Sequence, residues 1–351
     1  MRVLHLISSS GVYGAEKMVV GLCESLPQFG VQAVLEVFDN KHSQNLDVAD
    51  FAEQAGVTVR LLPCTGRFDV GAVRRLRSDI DELGIDIVHA HGFKANLYGF
   101  LATRGKVPFV ATNHRFDTGS HNKFDKPVLR RADAVYAVSD EARDSLREVY
   151  GIDGAMTIPN GVDPRDFTDV APSLGMDRPV VGMVARLAPE KAPADFLAVA
   201  AQVPQACFVV VGDGPLREEL EQQATDNVVF AGFRDDMARV YASLDVLVQP
   251  SYREGMPMTI LEAMASSVPV VATRVGAAAD VIDDGVTGLL VPAGDVTRLT
   301  AAVKELLSDP QRAEEMGRAA QAAVAERFTV DAMTQRYAQQ YQQVLAARSS
   351  R

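Results

Sequence analysis

Short apolar runs alternate with helical patterns along the whole chain, and this alternation most limits the fold it can adopt. Apolar runs bounded by turn residues predict buried parallel strands joined by helices. The predicted strands are Val3–Ile7, Val34–Phe38, Val57–Leu62, Ile85–Ala90, Phe109–Asn113 and Ala134–Val138, then Val180–Val184, Phe208–Val211, Val228–Phe230, Val246–Val248, Val268–Ala272 and Gly288–Val291. The pattern predicts an α/β chain with two doubly wound, Rossmann-like parallel sheets.

The chain is expected to form two domains, because 351 residues are many for a single hydrophobic core. Between the two sets of strands, residues 164–178 mix Pro, Asp and Gly without periodicity, which is typical of a linker. We therefore expect one domain over residues 1–163 and a second over 179–329. Two similar lobes that face each other across a cleft are the expected architecture.

The formal net charge of −11 argues against nucleic acid as the main partner, since binding phosphates requires clustered Lys and Arg. One region departs from this average, with eight basic residues against Asp117 and Asp125. The basic residues are Lys94, Arg104, Lys106, Arg115, Lys123, Lys126, Arg130 and Arg131. An anionic acceptor or an anionic membrane surface is one interpretation, and scattered solvated charge is the other.

The lengths of the apolar runs and the spacing of the cysteines predict the cellular compartment of the protein. Its apolar runs are far shorter than the roughly 18 residues of a membrane span, and the first run reads as a strand, not a signal peptide. The 3 cysteines are far apart and odd in number, which favours free thiols in a reducing compartment. We expect a cytoplasmic protein, peripheral at the inner face of the membrane if the basic region meets lipid.

Two carboxylates, Glu254 and Glu262, flank a predicted junction between the strand Val246–Val248 and a helix over Met258–Ala265, with Pro in the first helical turn. They could be ordinary solvated charges. Alternatively, they could hold a sugar, since a carboxylate can accept two hydroxyl hydrogen bonds. Residues eight apart on one helix lie about 12 Å apart, whereas a retaining glycosidase places its carboxyl groups about 5 Å apart. The spacing therefore favours a binding clamp over a hydrolytic pair.

Three further segments are candidates for phosphate or base contacts. The backbone N–H groups of Met258 and Thr259 open the predicted helix and suit a phosphate. Arg186 and Lys191 follow a strand and could offset charge on a diphosphate, although a solvated pair on a loop is the alternative. The segment VGDGPL is mainly structural, and the backbone at Phe233 and Arg234 is a candidate for a base edge.

The first half offers a glycine and histidines at the predicted strand ends. Gly14 opens a helix and could place its N–H at a phosphate, or it could simply form a tight turn. Three of the six histidines, His89, His91 and His114, also lie at strand ends. A zinc site needs ligand spacing with acidic or cysteine partners, and the sequence offers none there, so no metal is expected. Hydrogen bonding to a sugar is favoured, above all for His114.

These motifs together resemble the retaining glycosyltransferases of the GT-B fold, in family four (glycosyl transferases group 1). The matching segments are GVYGAEK, HAHGFKANLYG, IPNGVD, ARLAPEKA, VGDGPL and the block from Glu254 to Asp295. The resemblance runs from residue 8 to about residue 340. The sequence departs from the family pattern at Ala185 and Ala192, where the family often has glycine, and at Val12 and Tyr13.

The resemblance implies a role for each candidate residue. Arg186 and Lys191 would hold the donor diphosphate, Glu262 the ribose and Glu254 the transferred sugar. The backbone after Gly255, including Met256, would meet the sugar and phosphate. Gly14 would meet the distal phosphate, and His114 a sugar hydroxyl. The last helix, Val330–Ala346, would pack on the first lobe.

The implied reaction is transfer of a hexosyl unit from a nucleotide diphosphate sugar to an acceptor hydroxyl with retained configuration. A UDP-sugar is favoured and GDP-mannose is the second donor. The acceptor would be a glycan, a lipid-linked sugar or a small molecule, as in cell-envelope or lipopolysaccharide assembly. No cofactor is expected, because the nucleotide sugar is a substrate.

Three alternatives remain open at the level of sequence. A nucleotide-sugar 2-epimerase would share the fold and use no acceptor. A phosphorylase-like enzyme would need a pyridoxal lysine and a far longer chain. A non-catalytic subunit that binds nucleotide sugars would keep the diphosphate site and tolerate loss of Glu254.

Overall fold

The computed structural model describes residues 1–9, 11–41, 46–66, 68–114, 122–176 and 179–350, with the side chains of 122–124 outside the description. The chain divides into two compact units. The first comprises Met1–Gly161 with Val330–Arg351, and the second comprises Val162–Thr329. Each unit contains one parallel sheet flanked by helices, which confirms the predicted fold class.

The strands within the described residues fall into one sheet per unit. In the first unit they are β1 Arg2–Ile7, β2 Gln32–Asn40, β3 Thr58–Cys64, β4 Ile87–His91, β5 Phe109–Asn113, β6 Ala134–Ala137 and β7 Met156–Thr157. In the second unit they are β8 Val180–Val184, β9 Cys207–Val211, β10 Val228–Gly232, β11 Val246–Gln249, β12 Val270–Thr273 and β13 Leu289–Val291.

The α-helices of the described residues alternate with these strands until the C-terminal run. They are α1 Gly14–Ser25, α2 Asp47–Gln54, α3 Val70–Glu82, α4 Phe93–Thr103, α5 Asn122–Leu129, α6 Asp140–Ser145, α7 Pro193–Gln202, α8 Arg217–Gln223, α9 Met237–Tyr241, α10 Met258–Ala265, α11 Ala278–Val281, α12 Val296–Ser308, α13 Pro310–Arg327 and α14 Val330–Ser349.

The first sheet has the order β3-β2-β1-β4-β5-β6-β7, with every neighbouring pair parallel. Strand β1 lies between β2 and β4, so the order reverses there and the loops after β1 and β4 leave from the same edge. Ligands of open parallel sheets bind at such switch points. The sheet is apolar on both faces, and one face is covered by α1 and α14.

Helix α14 packs on the first unit although it follows the second in sequence. Its Met333, Tyr337 and Tyr341 are buried in the same core as Val3 and Ile7 of β1. The apolar side chains of α14 recur every three or four residues, which places them on one side of the helix. The helix extends to Ser349, three residues beyond the predicted segment.

The second sheet has the order β10-β9-β8-β11-β12-β13 and is also parallel throughout. Residues 164–176, predicted as a linker, instead pack within the second unit. The N–H groups of Ser173 and Leu174 donate to Ser243 Oγ over 3.0 and 3.2 Å, and the Phe167 ring meets Tyr241 edge-on. The sequence did not reveal this because these bonds involve irregular backbone.

The short elements α2, α5 and β7 are among those that the sequence pattern did not indicate by name. Helix α5 contains Pro127, which normally ends a helical pattern. Strand β7 has only two residues, and its place at the edge of the sheet comes from pairing with β6. Short elements of this kind depend on tertiary contacts more than on local sequence.

An acidic side chain lies inside the first sheet. Glu36 of β2 is fully buried and stands opposite Arg60 of β3 in the register, while Arg60 forms a 2.6 Å ion pair with Asp79 of α3. Burial, followed by the nearby charge of Asp79, raises the pKa of Glu36 from 4.5 to about 8, and Arg60 acts in the opposite direction. The folded chain therefore holds a proton at Glu36 where the unfolded chain releases it.

This proton makes stability depend on pH between 4.5 and about 8. The folded pKa is the higher one, so the free energy of unfolding falls as pH rises through this window, by up to about 1.4 kcal/mol per pH unit from this group. We expect Glu36→Gln to reduce that fall, with its largest stabilisation relative to wild type at pH 8 and little at pH 4.5. Urea unfolding at both pH values measures this. The exposed Glu53→Gln is the control, and the same pH dependence in Glu36→Gln and wild type would contradict the assignment.

Candidate functional site

Two loops of the second unit leave neighbouring strands at the same edge of the sheet. Strands β8 and β11 are parallel partners, and the loops after them cover residues 185–192 and 250–257. The first loop ends in a short 3-10 turn, Pro189–Lys191, and the second leads into α10. This arrangement brings Lys191 and Glu254, 63 positions apart in sequence, into direct contact.

Glu254 is a buried carboxylate with three bonded partners. Its exposed fraction is 8%, and Lys191 Nζ donates to Oε2 over 2.6 Å. Gln249 Nε2 and Ser251 Oγ both donate to Oε1, over 2.6 and 2.7 Å. The interpretation of Glu254 as a solvated surface charge is therefore wrong. An ionised carboxylate can be buried here because its charge is paired and its oxygens are hydrogen-bonded.

The two loops are also joined through Tyr252. Its backbone N–H donates to Glu190 O over 2.9 Å, and its hydroxyl donates to the Asp195 carboxylate over 3.0 Å. Asp195 lies in the first turn of α7, four residues after Lys191 in the chain. These bonds and the Lys191–Glu254 pair hold both loops at fixed positions relative to each other.

The loop that follows β12 packs against the backbone of Glu254. Gly276 has a φ of +56°, and a Cβ atom added there would lie 2.4 Å from Glu254 O. Ala277 N donates to Gly255 O over 2.9 Å. Only glycine permits this positive φ together with such a close backbone approach. Residues 254 and 255 are therefore held by the loop that follows β12, and Met256 beside them is buried.

Helix α10 carries the second carboxylate and has the predicted bounds. Pro257 lies at the N-cap, one position before the predicted first turn. Glu262 is 7% exposed and accepts a 2.7 Å hydrogen bond from Tyr241. Burial, then the charge of Glu262, raises the pKa of Tyr241 well above its usual range, so its hydroxyl stays a donor. Glu262, too, is no surface charge.

The first turn of α10 holds the predicted phosphate contacts. Met258 is buried and Thr259 is half-buried, and Thr259 Oγ1 lies 3.4 Å from Gln249 Oε1. The same Gln249 bonds Glu254. The start of the helix is thus connected to the buried carboxylate through one amide side chain.

Arg186 stands apart from the buried cluster. Its side chain is 57% exposed and pairs with Glu190 over 2.7 Å. The backbone around it is held by the segment Val211–Pro215, because a Cβ on Gly212 would lie 2.0 Å from Ala185 O, and one on Gly214 2.5 Å from Leu187 O. Both glycines thus support the loop that carries Arg186.

The candidate contact for the nucleotide base consists of the exposed ring of Phe233 and the guanidinium of Arg234, which is already ion-paired. Phe233 is 73% exposed. Arg234 donates to both carboxylate oxygens of Asp236, over 2.8 and 2.7 Å, and this pairing holds the pKa of Asp236 well below its usual range. A ligand at this position would therefore meet the backbone and the Phe233 ring more readily than the Arg234 charge.

In the first unit, the candidates occupy the ends of β1 and β5. Gly14 is the first residue of α1, where Glu16 accepts from Tyr13 N over 3.2 Å and from Ser9 Oγ over 2.9 Å. His114 follows β5, and its Nε2 lies 3.0 Å from His91 Nδ1. Ser10, in the segment before Gly14, and residues 115–121, directly after His114, lie outside the described residues.

Several of the basic residues between 94 and 131 are used inside the first unit. Lys94 bonds the Asn40 side chain and lies 4.4 Å above the Phe38 ring. Lys126 and Arg130 donate to the carbonyls of Val149 and Tyr150. Arg104, Lys106, Arg130 and Arg131 are exposed, whereas Arg115 and the Lys123 side chain lie outside the described residues. Among the described basic residues, part of the charge is therefore used in contacts within the unit.

The structure adds residues that the sequence analysis missed: Gln249, Ser251, Tyr241 and Gly276. A signal existed for Gln249, since it is a polar residue at the end of the apolar run Val246–Val248, and buried polar residues are uncommon without a partner. Gly276 gave no local signal, because its role depends on a loop 22 residues away in sequence.

Comparisons with known proteins identify the family. The Glycosyltransferase Family 4 model matches residues 12–166, and the Glycosyl transferases group 1 model matches residues 178–309. A GDP-mannose-dependent alpha-mannosyltransferase of Mycobacterium tuberculosis is 32% identical over 86% of this chain and 86% of its own length. The chain belongs to this family of group 1 glycosyltransferases.

A second relative matches over a shorter span. The 2-deoxystreptamine N-acetyl-D-glucosaminyltransferase of Streptomyces fradiae is 34% identical over 65% of this chain and 64% of its own length. This chain thus matches less than two thirds of that relative.

Solved structures share the fold. HepE of Anabaena, solved in complex with UDP, has a TM-score of 0.86 at 24% identity and is covered over its whole length by 98% of this chain. The sucrose-phosphate synthase of Thermosynechococcus elongatus has a TM-score of 0.83 at 23% identity, with 99% of this chain and 100% of that chain covered. Both support the GT-B fold. Among the described residues, none of the helices has the length and apolarity to cross a bilayer.

The contact between Gly276 and Glu254 predicts a graded effect on stability. Gly276→Ala should lower the free energy of unfolding by about 3 kcal/mol, because a positive φ and a backbone clash act together. Gly294→Ala is the matched control: its φ is +76°, yet its added Cβ would meet only Tyr252 Cε1 at 3.8 Å, so about 1 kcal/mol is expected. Chemical denaturation measures both. Equal losses would show that the Glu254 backbone does not depend on Gly276.

The membrane interpretation of the basic region stays a prediction. If the exposed basic residues meet anionic lipid, the protein should sediment with phosphatidylserine vesicles at low salt and be released as salt rises. Neutral phosphatidylcholine vesicles are the control. Failure to bind anionic vesicles at low salt would remove the interpretation.

Proposed function

We propose that the protein is a retaining glycosyltransferase that moves a hexosyl unit from a nucleotide diphosphate sugar to an acceptor hydroxyl. The observation that carries this proposal is the buried Lys191–Glu254 pair at the sheet edge, next to the start of α10. In this pair, the Lys191 ammonium is suited to bind a phosphate, and the adjacent Glu254 carboxylate is suited to accept hydrogen bonds from sugar hydroxyls. Membership of the family supports the same reaction class.

Lys191 is the residue proposed to bind the leaving diphosphate. Its ammonium group has three N–H donors, and the Glu254 contact uses one. Its side chain is 24% exposed, so the charge is partly shielded from water and still accessible to a ligand. Arg186, which is more exposed, is proposed to add a planar fork to the same diphosphate. Together they would offset the negative charge that grows on the leaving group.

Glu254 and Glu262 are proposed to orient the two sugar rings of the donor. A carboxylate offers about four lone-pair sites, and Glu254 uses three of them for Lys191, Gln249 and Ser251. One direction remains for a hydroxyl of the transferred sugar. Glu262 is proposed to accept from the ribose, with Tyr241 fixing its orientation.

The remaining site residues keep the roles that the family resemblance implies. The backbone of Gly255, Met256, Met258 and Thr259 is proposed to meet sugar and phosphate, and that of Phe233 and Arg234 the base. Gly14 is assigned to the distal phosphate and His114 to a sugar hydroxyl.

The proposed reaction uses no nucleophile from the protein. The acceptor oxygen forms a bond to the anomeric carbon on the face from which the diphosphate leaves, and the bond to the diphosphate oxygen breaks. The departing phosphate takes the acceptor's proton, so configuration is retained. Charge stabilisation and orientation supply most of the acceleration. The proposal includes no metal, because Arg186 and Lys191 supply positive charge.

The proposed donor is a UDP-sugar, with GDP-mannose as the second candidate. UDP is bound in the Anabaena structure of the same fold, and the Mycobacterium tuberculosis relative is GDP-mannose-dependent. The acceptor is proposed to be a glycan, a lipid-linked sugar or a small molecule of cell-envelope assembly. A 2-epimerase or a non-catalytic subunit would bind the same donor and form no glycoside.

A donor panel with site variants tests the proposal. UDP, GDP and ADP, each alone and as hexose conjugates, are compared by thermal shift, and the stabilising donor is then assayed with candidate acceptors. Lys191→Ala and Glu254→Ala should each lower transfer by at least about a hundredfold, the loss typical of removing a group that stabilises developing charge. The exposed Lys304→Ala should be unchanged.

Circular dichroism and thermal unfolding establish that each variant is folded. Full activity of a folded Lys191→Ala protein would overturn the diphosphate assignment. Release of an epimerised nucleotide sugar without acceptor would support the epimerase instead, and tight donor binding without turnover on any acceptor would support a binding subunit.

A further inference from the structure

A row of three hydrogen-bonded histidines runs across the first sheet and ends at His114. His5 Nδ1 lies 3.1 Å from His91 Nε2, and His91 Nδ1 lies 3.0 Å from His114 Nε2. His5 belongs to β1 and His91 ends β4, while His114 directly follows β5. The central ring, His91, is therefore bonded at both nitrogens, and its partners are other histidines.

A fourth histidine, His89, packs beside the row and is satisfied by hydroxyl groups. Its ring nitrogens lie 2.6 Å from the Tyr341 hydroxyl and 2.7 Å from Thr112 Oγ1. The nitrogens of His5, His89 and His91 come within 4.8 Å of one another, so this trio has the spacing of a metal site. A metal ion would have to replace the hydrogen bonds that these rings already make. Hydrogen bonding accounts for the arrangement without one.

The buried histidine at one end of the row, His5, determines which ring nitrogens of the row carry protons. His5 is fully buried, and in the described part of the chain its Nε2 has no hydrogen-bond partner. A neutral imidazole has one N–H and one bare nitrogen. A buried N–H without an acceptor is rarer than a buried acceptor without a donor. His5 therefore carries its proton on Nδ1 and donates it to His91.

The remaining proton positions follow from that of His5. His91 accepts at Nε2, so its own proton is on Nδ1, from which it donates to His114 Nε2. His114 then carries its proton on Nδ1. A doubly protonated His114 would have to donate to His91, which would reverse the row and leave an N–H of His5 buried without an acceptor. The row therefore disfavours the charged form of His114.

The two buried rings of the row, His5 and His91, are neutral near pH 7. Burial lowers the pKa of His5 to about 3, and burial, followed by the charge of neighbouring histidines, lowers that of His91 well below its usual range. Among the described residues, tyrosine rings pack beside the histidines: Tyr341 lies against His5 and His89, and Tyr136 and Tyr337 lie against His89. Burial raises the pKa of Tyr136 and Tyr341, so they add no charge.

We propose that His91 is a positioning residue that holds His114 as a neutral hydrogen-bond donor, with its proton on Nδ1, and thereby prevents it from acting as a base through Nε2. The inference rests on the proposed function for its last step, in which His114 meets a sugar hydroxyl. It assigns the way in which His114 acts, and it makes His91 and His5 residues that support the reaction indirectly, through His114.

Nitrogen-15 NMR of the full-length protein with labelled histidine tests the proton positions without any substrate. The expected result is a protonated Nδ1 and a bare Nε2 for His5, His91 and His114 across neutral pH, with the three rings assigned by single replacements. A protonated Nε2 on His114 in the wild-type protein would overturn the inference and leave the transferase proposal intact.

Two variants of His91 separate positioning from packing. His91→Asn keeps an amide N–H near the position of His91 Nδ1, and this group can still donate to His114 Nε2. His114 should therefore keep its tautomer, and the variant should keep its activity. His91→Leu should let His114 exchange between tautomers and take up a second proton as pH falls. With the donor that the thermal-shift panel identifies, kcat/KM of His91→Leu should fall about three- to tenfold at pH 8, the usual effect of one neutral hydrogen bond.

The pH profile distinguishes a donor from a base. In His91→Leu the activity should recover as pH falls, because a second proton restores the N–H on Nδ1, while wild type stays level. A loss of activity at low pH in both proteins would mean that His114 acts as a base and would overturn the inference. Should His91→Leu fail to fold, the wild-type tautomers and the His91→Asn profile still decide.

Discussion

The candidate site depends on keeping one carboxylate, Glu254, ionised in a place that water hardly reaches. Removing such a group from water costs several kcal/mol unless a countercharge and hydrogen bonds replace the solvent. Lys191, Gln249 and Ser251 provide that replacement from two neighbouring loops. The requirement explains why these loops are tied together, since a mobile partner would leave the charge unpaired. A site already arranged in this way needs little rearrangement to bind a charged ligand.

Backbone contacts make the arrangement rigid. Gly276 lies against the Glu254 backbone, and Gly212 against that of Ala185, at distances that exclude a side chain. Each contact replaces solvent around a loop with another part of the chain. Parallel strands make this feasible because every strand in a sheet ends at the same edge, so loops distant in sequence become neighbours.

The first unit applies the same principle to neutral groups. His5, His89 and His91 lie on apolar strands where charged rings would be costly. His5 and His91 bond to each other, and His89 bonds to hydroxyls of α14 and β5. The C-terminal helix thus contributes Tyr337 and Tyr341 to the interior as well as apolar surface. Its return to the first unit places these hydroxyls beside the histidines.

Much of this protein could be predicted from the sequence, because the evidence is local. Apolar runs of limited length indicate strands wherever they occur, so the two sheets and the bounds of α10 followed from the pattern. The spacing of Glu254 and Glu262 and the family motifs indicated which residues to examine. The short elements α5 and β7 were missed because their local sequence is weak and neighbouring elements hold them in place.

Only the tertiary structure decided how the indicated residues are used. Burial distinguished Glu254 and Glu262 from surface charges, and pairing distinguished the enclosed Lys191 from the exposed Arg186. The histidine row and the Gly276 contact join positions far apart in the chain, and no local pattern records such distances. The sequence by itself determined which strands and helices form and which chemical groups they carry. Packing decided which of those groups lose their water, and loss of water forces them to bond to one another.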